Sequence, residues 1–358
     1  MMTSPDPDDG SRDAGRSEPD TRGRDLAENE RYIVGVDLGG TSINVGAVPA
    51  EGGTILGMRS LPTEAHIGAK FVVDRMTGMI RDTMRDAARE GDLEPSDFIG
   101  IGLGSPGPLD RESGTVLATP NLGWRNFPLR DLVANEIGLE AELDNDANAA
   151  TLGEWWQGAA RGVDNVLGVT LGTGIGGGIV LDGQVYHGTS DAAGEIGHMT
   201  IDSTGRKCAC GNYGCLEAYA SGPAIAARAV EGLEAGARSL LPDLVEGVLD
   251  RITAETVSEA ILAGDAYAAD VMRETAKFLG TGVANLINVL NPEMVVISGG
   301  VTRAGEHLFE PLRAEVRRRA FTEVAEACRI VGSELGHMAG VIGAAGVFHV
   351  ARLGPLRA

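Results

Sequence analysis

Lysine is nearly absent: Lys70, Lys207 and Lys277 are the only three in 358 residues. Arginine brings the cationic total to 30, against 51 Asp and Glu, for a formal net charge of −21. A chain this acidic lacks the basic face that a nucleic acid or an anionic membrane surface requires, which excludes a general binder of either. The pattern GxxxxGK[ST] does not occur, so there is no P-loop. No stretch approaches 18 consecutive apolar residues, so no transmembrane helix is expected. The first 30 residues carry no apolar run, which argues against a signal peptide. Four cysteines do not make a disulfide scaffold at this length. A cytoplasmic location is the expectation that follows.

What remains is ordinary globular material. The composition is 43% hydrophobic and 23% charged, and the length suits about two domains. Residues 1–30 hold nine acids and four arginines with almost no apolar content, and are expected to form a disordered acidic tail. Order is expected from Tyr32, where an apolar, β-prone run meets the turn Asp37-Leu38-Gly39-Gly40-Thr41 and a returning strand over 43–48. Helices are predicted over 68–90, 128–137 and about 147–158, and buried strands over 98–104 and 140–143.

The opening pattern then recurs. Gly168-Val169-Thr170-Leu171-Gly172-Thr173-Gly174 matches Gly35–Thr41 at four of seven positions, and a second returning strand is predicted over 178–181. Both halves thus begin with a strand, a Gly/Thr turn and a strand, which points to duplication. Helices are predicted over 217–235, 255–263, 266–290 and 305–319, with a strand over 294–298 ending in Gly299-Gly300. Helices alternating with short apolar strands predict an α/β fold of two sheet-centred domains with a cleft between them. The expected division is 31–146 and 147–358, with the last helix, 340–352, packing back on the first domain.

Several motifs carry chemistry. Gly/Thr turns between strands expose backbone N–H groups that form an anion-binding nest. Asp37 beside the first turn is placed to hold Mg²⁺ through water and offset phosphate charge. Two such turns plus Gly299-Gly300 point to a nucleotide cleft at strand ends. Asp144-Asn145-Asp146 lies between a strand and a helix. It is suited either to binding a polyol and taking its proton or to capping the helix. His198, Cys208, Cys210 and Cys215 make a Cys₃His set suited to a structural zinc ion. A Cys208–Cys210 disulfide is disfavoured by geometry and compartment, and free thiols are the remaining alternative. Cys328 stands apart and reads as a buried apolar residue.

In this order, the motifs resemble the ROK family of sugar kinases, within the actin-like/hexokinase-like ATPase superfamily. The resemblance runs from about Tyr32 to Gly346. It rests on Gly35–Thr41, Pro120-Asn121-Leu122-Gly123-Trp124, Leu143–Asn148, Leu171–Gly178, Gly194-Glu195-Ile196-Gly197-His198 and Cys208–Glu217. It implies Asp146 as the catalytic base and Asn121, Asn145, Glu195, His198 and Glu217 as sugar-binding groups. It also implies Gly39-Gly40-Thr41 and Gly172-Thr173-Gly174 as phosphate loops, Gly299-Gly300 as the adenosine motif, and His198, Cys208, Cys210 and Cys215 as zinc ligands. His198 would then face zinc with one ring nitrogen and sugar with the other. Ser42 departs from the lysine that many members carry.

The activity so implied is ATP-dependent phosphorylation of a hexose 6-hydroxyl, with Mg²⁺ accompanying ATP, Zn²⁺ structural, and a homodimer or homotetramer as the assembly. Glucose is the leading sugar, with N-acetylmannosamine, N-acetylglucosamine, mannose, allose and fructose open. A sugar-responsive repressor would want a basic DNA-reading helix, and only an acidic, apolar-poor stretch of about 30 residues precedes the first strand. A filament-forming or chaperone ATPase needs neither the sugar set nor the zinc set. Polyphosphate as donor would prefer a basic groove, which the charge disfavours.

Overall fold

A computed structural model describes residues 31–119 and 121–357. The expected acidic tail and Pro120 lie outside the described residues.

Two five-stranded sheets with the same topology dominate. The first contains β1 (Tyr32–Leu38), β2 (Ser42–Pro49), β3 (Leu56–Pro62), β4 (Phe98–Ser105) and β8 (Ala141–Asn145), in spatial order β3-β2-β1-β4-β8. The second contains β9 (Val166–Leu171), β10 (Ile175–Leu181), β11 (Gln184–Val185), β12 (Met294–Ser298) and β13 (Arg329–Gly332), in order β11-β10-β9-β12-β13. In each, three antiparallel strands are followed by two parallel ones. The repeated seven-residue pattern sits at the same place in both, at the turn from the central strand into its antiparallel neighbour. A small sheet of β5 (Leu109–Asp110), β6 (Thr115–Thr119) and β7 (Trp124–Phe127) is inserted after β4.

Strand β1 is a nearly continuous buried run because helices cover both faces. On one side α1 (Ala69–Gly91) presents Val72, Met76, Ile80 and Ala87, a stripe of helical period. Burying Val72, Met76 and Ile80 stabilises by about 1.5–3 kcal/mol each. On the other side lies α11 (Ala339–Arg352), which also packs along β4 and along α3 (Asp146–Gln157). That approach depends on glycine. A Cβ at Gly343 would stand 1.5 Å from the Ala149 carbonyl oxygen of α3, and one at Gly102 would stand 1.7 Å from that of Ala344. Backbone therefore meets backbone across α11 on two sides.

The remaining helices are α2 (Leu129–Ile137), α4 (Glu217–Ala220), α5 (Gly222–Glu234), α6 (Leu241–Leu244), α7 (Ala254–Leu262), α8 (Ala266–Leu290), α9 (Glu306–Arg319) and α10 (Thr322–Ala327). Two expectations need correction. The single helix over 217–235 is two, because Ser221 leaves the helix at ψ 164 and caps α5 by accepting from the Ala224 N–H, ahead of Pro223 in its first turn. The second returning strand begins at Ile175 rather than 178. Gly176, Gly177 and Gly178 belong to the strand: α3 lies so close that a Cβ at Gly178 would come within 2.2 Å of the Thr151 hydroxyl. Among the described residues no helix is long and apolar enough to cross a membrane.

Candidate active site

The glycine turns of the two sheets open into one cavity of about 560 Å³. Gly40 and Thr41 line it from the first turn, and Gly172, Thr173 and Gly174 from the second. Asn121, Asn145, Asp146, Glu195, His198, Glu217, Gly299 and Gly300 line the same space. A second cavity of about 490 Å³ shares Asp146, Gly299 and Gly300 and adds Asp37 and Asn44 to its wall. Gly39 faces neither. Its N–H donates to the Ser42 carbonyl at 2.9 Å and its own carbonyl accepts from the Thr63 hydroxyl at 2.8 Å, which holds the turn.

Asp146 therefore stands where the two cavities meet, as the first residue of α3. Burial pushes its carboxyl up to about 7, the Asp37 and Glu195 charges push the same way, and the Ala147 N–H opposes them. Asp37 is also raised by burial, against a hydrogen bond from Asn44 Nδ2 at 3.1 Å. Asn145 caps the helix and also lines the cavity. Its Oδ1 caps α3, accepting from the Ala147 and Asn148 N–H groups at 2.9 and 3.2 Å, and its amide NH₂ is left for the cavity.

Glu217, opening α4, ties two parts of the site together. Its Oε2 accepts from the Ile175 N–H at 3.0 Å, at the exit of the second glycine turn, and its Oε1 lies 3.7 Å from Cys208 Sγ. A Cβ at Gly174 would meet Oε2 at 2.5 Å, so this contact requires glycine there.

The Cys/His set converges. The ligand atoms of His198, Cys208, Cys210 and Cys215 all lie within 4.8 Å of one another. At a Zn–S distance of about 2.3 Å, a tetrahedron has edges of about 3.8 Å. Cys208 Sγ is 3.8 Å from His198 Nδ1, and Cys210 Sγ is 3.7 Å from Cys215 Sγ. Thiols and imidazole at this spacing fit a tetrahedral cation. Burial pushes the Cys208 thiol up to about 12 and raises Cys215, so a cation there displaces protons on binding. His198 turns its other nitrogen, Nε2, toward Glu195, 4.0 Å from Oε2. Cys328 is buried away from this cluster, with its thiol raised to about 11 by burial.

The ROK family pattern matches residues 33–351. The chain belongs to the ROK family. A glucokinase of Halalkalibacterium halodurans is 42% identical over 318 residues, 88% of this chain and 94% of that protein. A glucokinase of Thermotoga maritima is 39% identical, covering 88% and 96%. The crystal structure of a ROK family glucokinase from Streptomyces griseus, in complex with glucose and AMPPNP, superposes with a TM-score of 0.78 at 36% identity, covering 88% of this chain and 98% of that one.

The ROK cleft also contains polar groups that the sequence motifs did not mark. Asp191 lines the cavity, as do Pro106, Gly107 and Pro108 after β4. Buried Asp144 holds a cluster just behind Asn145. It accepts from the Asn148 amide at 3.1 Å, contacts His187 Nε2 at 2.7 Å, and pairs with Arg111 Nε at 3.3 Å. Burial works to raise its carboxyl, but the His187 hydrogen bond and charge, with Arg111 and Asn148, hold it below the usual carboxylate range. An acid two residues before the predicted base was the only signal of this cluster in the sequence.

Proposed function

We propose that this chain transfers the γ-phosphoryl group of ATP to the 6-hydroxyl of glucose, with Asp146 accepting the hydroxyl proton. The observation that carries the reading is the position of Asp146. The hydroxyl-binding groups Asn121, Asn145, Glu195, His198 and Glu217 share one cavity with the glycine turns, Asp37 lines the adjoining one, and Asp146 and Gly299-Gly300 line both. Phosphoryl transfer has a loose transition state, so orientation and charge neutralisation account for most of the acceleration. The turns present N–H groups to the phosphates. A carboxyl raised to about 7 is half ionised near neutrality, and its basicity suits a proton that moves late.

Mg²⁺ fits beside Asp37, where a cation relieves the repulsion that Asp37 exerts on Asp146; bound with ATP, it neutralises phosphate charge. Zn²⁺ fits His198, Cys208, Cys210 and Cys215, and four protein ligands make its role structural. The cluster fixes the segment from Glu195 to Glu217, setting His198 and Glu217 against the sugar. The glucokinases at 39–42% identity support glucose over other hexoses.

The test is ADP release with ATP·Mg²⁺ over glucose, mannose, fructose, N-acetylglucosamine and N-acetylmannosamine. A kcat/KM for glucose at least about tenfold above the others, roughly 1.4 kcal/mol of transition-state preference, is expected. Preference for an N-acetylated sugar would overturn glucose and keep the mechanism. No turnover with ATP or polyphosphate on any sugar would overturn the kinase.

A further inference from the structure

The geometry points to Arg111 as a positioning residue: it latches the segment carrying Glu195 and His198 to the strand end carrying Asp146. This rests on the sugar-kinase reading above. The latch has four members drawn from both sides of the cleft. Asp144 lies in β8 of the first sheet and Arg111 directly after β5 of the small sheet inserted after β4; His187 and Asp191 lie on the segment leaving β11 of the second sheet.

Asp144 is only 2% exposed and fully engaged. One oxygen accepts from the Asn145 N–H at 2.7 Å and the Asn148 amide at 3.1 Å; the other meets His187 Nε2 at 2.7 Å and Arg111 Nε at 3.3 Å. Arg111 reaches the other way as well. Its backbone N–H donates to Asp191 Oδ2 at 3.1 Å, and its guanidinium lies 3.9 Å from Asp191 Oδ1. The Ala193 N–H closes the loop onto the His187 carbonyl at 3.1 Å.

Two features separate this cluster from a surface staple. Asp191 holds a left-handed backbone, φ 53°, a conformation uncommon for a residue with a side chain. Its carboxylate is fixed by Arg111 while it lines the sugar-side cavity. Both ends of the latch also lead straight to reacting groups: Asp144 lies two residues before Asp146, and Asp191 four before Glu195. The spacing between base and hydroxyl-binding groups is therefore set by contacts that themselves touch no phosphate. Arg111 Nε is buried and makes no aligned hydrogen bond, so its attraction to Asp144 is Coulombic and tolerates small rotations of the cleft.

Binding measurements on the full chain test this. Glucose and a nonhydrolysable ATP analogue are titrated separately into wild type, Arg111→Gln, Arg111→Lys, His187→Gln and His187→Leu. Misplacing a sugar-binding group by a fraction of an ångström costs about tenfold or more. Arg111→Gln is expected to weaken glucose by at least that factor and leave the analogue within about twofold, with Arg111→Lys recovering most of the loss. His187→Gln keeps a donor near the Nε2 position and stays close to wild type, whereas His187→Leu follows Arg111→Gln. Unchanged glucose affinity in Arg111→Gln, or equal weakening of both ligands, overturns the latch. If Arg111→Gln does not fold, the two His187 variants decide by the same split. Wild-type turnover on the sugar panel judges the kinase reading separately, because the latch is read from binding alone.

Discussion

Replacing Asp146 by Asn should make the protein more stable and nearly inactive. Wild-type Asp146 has its carboxyl pushed from 3.8 to about 7, chiefly by burial and then by the Asp37 charge. The unfolded chain ionises this group from about pH 4, while the folded chain resists until about 7. Between those values the folded state binds more protons, so stability falls as pH rises, and the full penalty is carried above 7. A shift of about three units at 1.36 kcal/mol each gives about 4 kcal/mol as a ceiling. Asp146 is partly exposed to an open cleft, and water there screens the repulsion, leaving about 1–2 kcal/mol. Asn removes the charge yet keeps an oxygen to accept the Ala147 N–H, which Asp146 Oδ1 now accepts at 2.9 Å. The ligand-free variant should melt about 2–6 °C above wild type at pH 8. The gap should widen from pH 5 to 7 and level off above. Its kcat should fall by about 10²–10⁴, the usual scale for losing a general base. The wild-type kcat/KM for sugar should itself rise with pH to a plateau above about 7. Differential scanning calorimetry across pH and a coupled kinetic assay supply the readings. A melting gap that does not grow with pH, or turnover close to wild type, would refute the reasoning.

Metal analysis should find one zinc per chain, and a chelator strong enough to strip it should abolish glucose binding; protein free of zinc that still binds glucose would sink the structural role. Gly343→Ala puts a methyl group against the Ala149 carbonyl oxygen, an overpacking cost of at least about 1–3 kcal/mol because neither backbone yields easily; a wild-type melting temperature would show that α11 has room to move. Glu154 is 2% exposed and accepts from the backbone N–H groups of Ala159, Glu334 and Leu335 and from the Ser333 hydroxyl. Glu154→Gln turns an NH₂ toward donors and should cost about 1–3 kcal/mol with the glucose KM unchanged. A denaturation curve matching wild type would contradict it.

The central strands were legible because β-branched runs bounded by glycine have few other outcomes. Edge strands β3 and β13 were not. Leu56–Pro62 mixes Arg, Ser and Pro with apolar residues because much of it faces water, and Arg329–Gly332 is only four residues long. The break at Ser221 was signalled by Ser-Gly-Pro, but small apolar residues continue on both sides and mask the cap. Gly176 and Gly177 were left out of the predicted strand because glycine is rare inside strands; their place in it follows from close packing, of α3 against Gly176 and of Gly194 and Ile196 against Gly177. In the site, Gly40, Gly172–Gly174, Asp146 and the Cys/His set carry chemistry in short local patterns. Arg111, His187 and Asp191 are each unexceptional where they stand, and chain folding alone brings them together.

The contact between α3 and α11 has a mechanical consequence. Helices packed through long side chains can ratchet, because interlocked rows can slip from one notch to the next. Here glycine brings main chain against main chain, and there are few teeth to slip. Translation along the pair drives carbonyl oxygens into Cα atoms, whereas rotation about it displaces little. α11 lies along β1 and β4 of the first sheet and α3 along β9 and β10 of the second, so the two sheets meet through a contact that resists sliding more than turning.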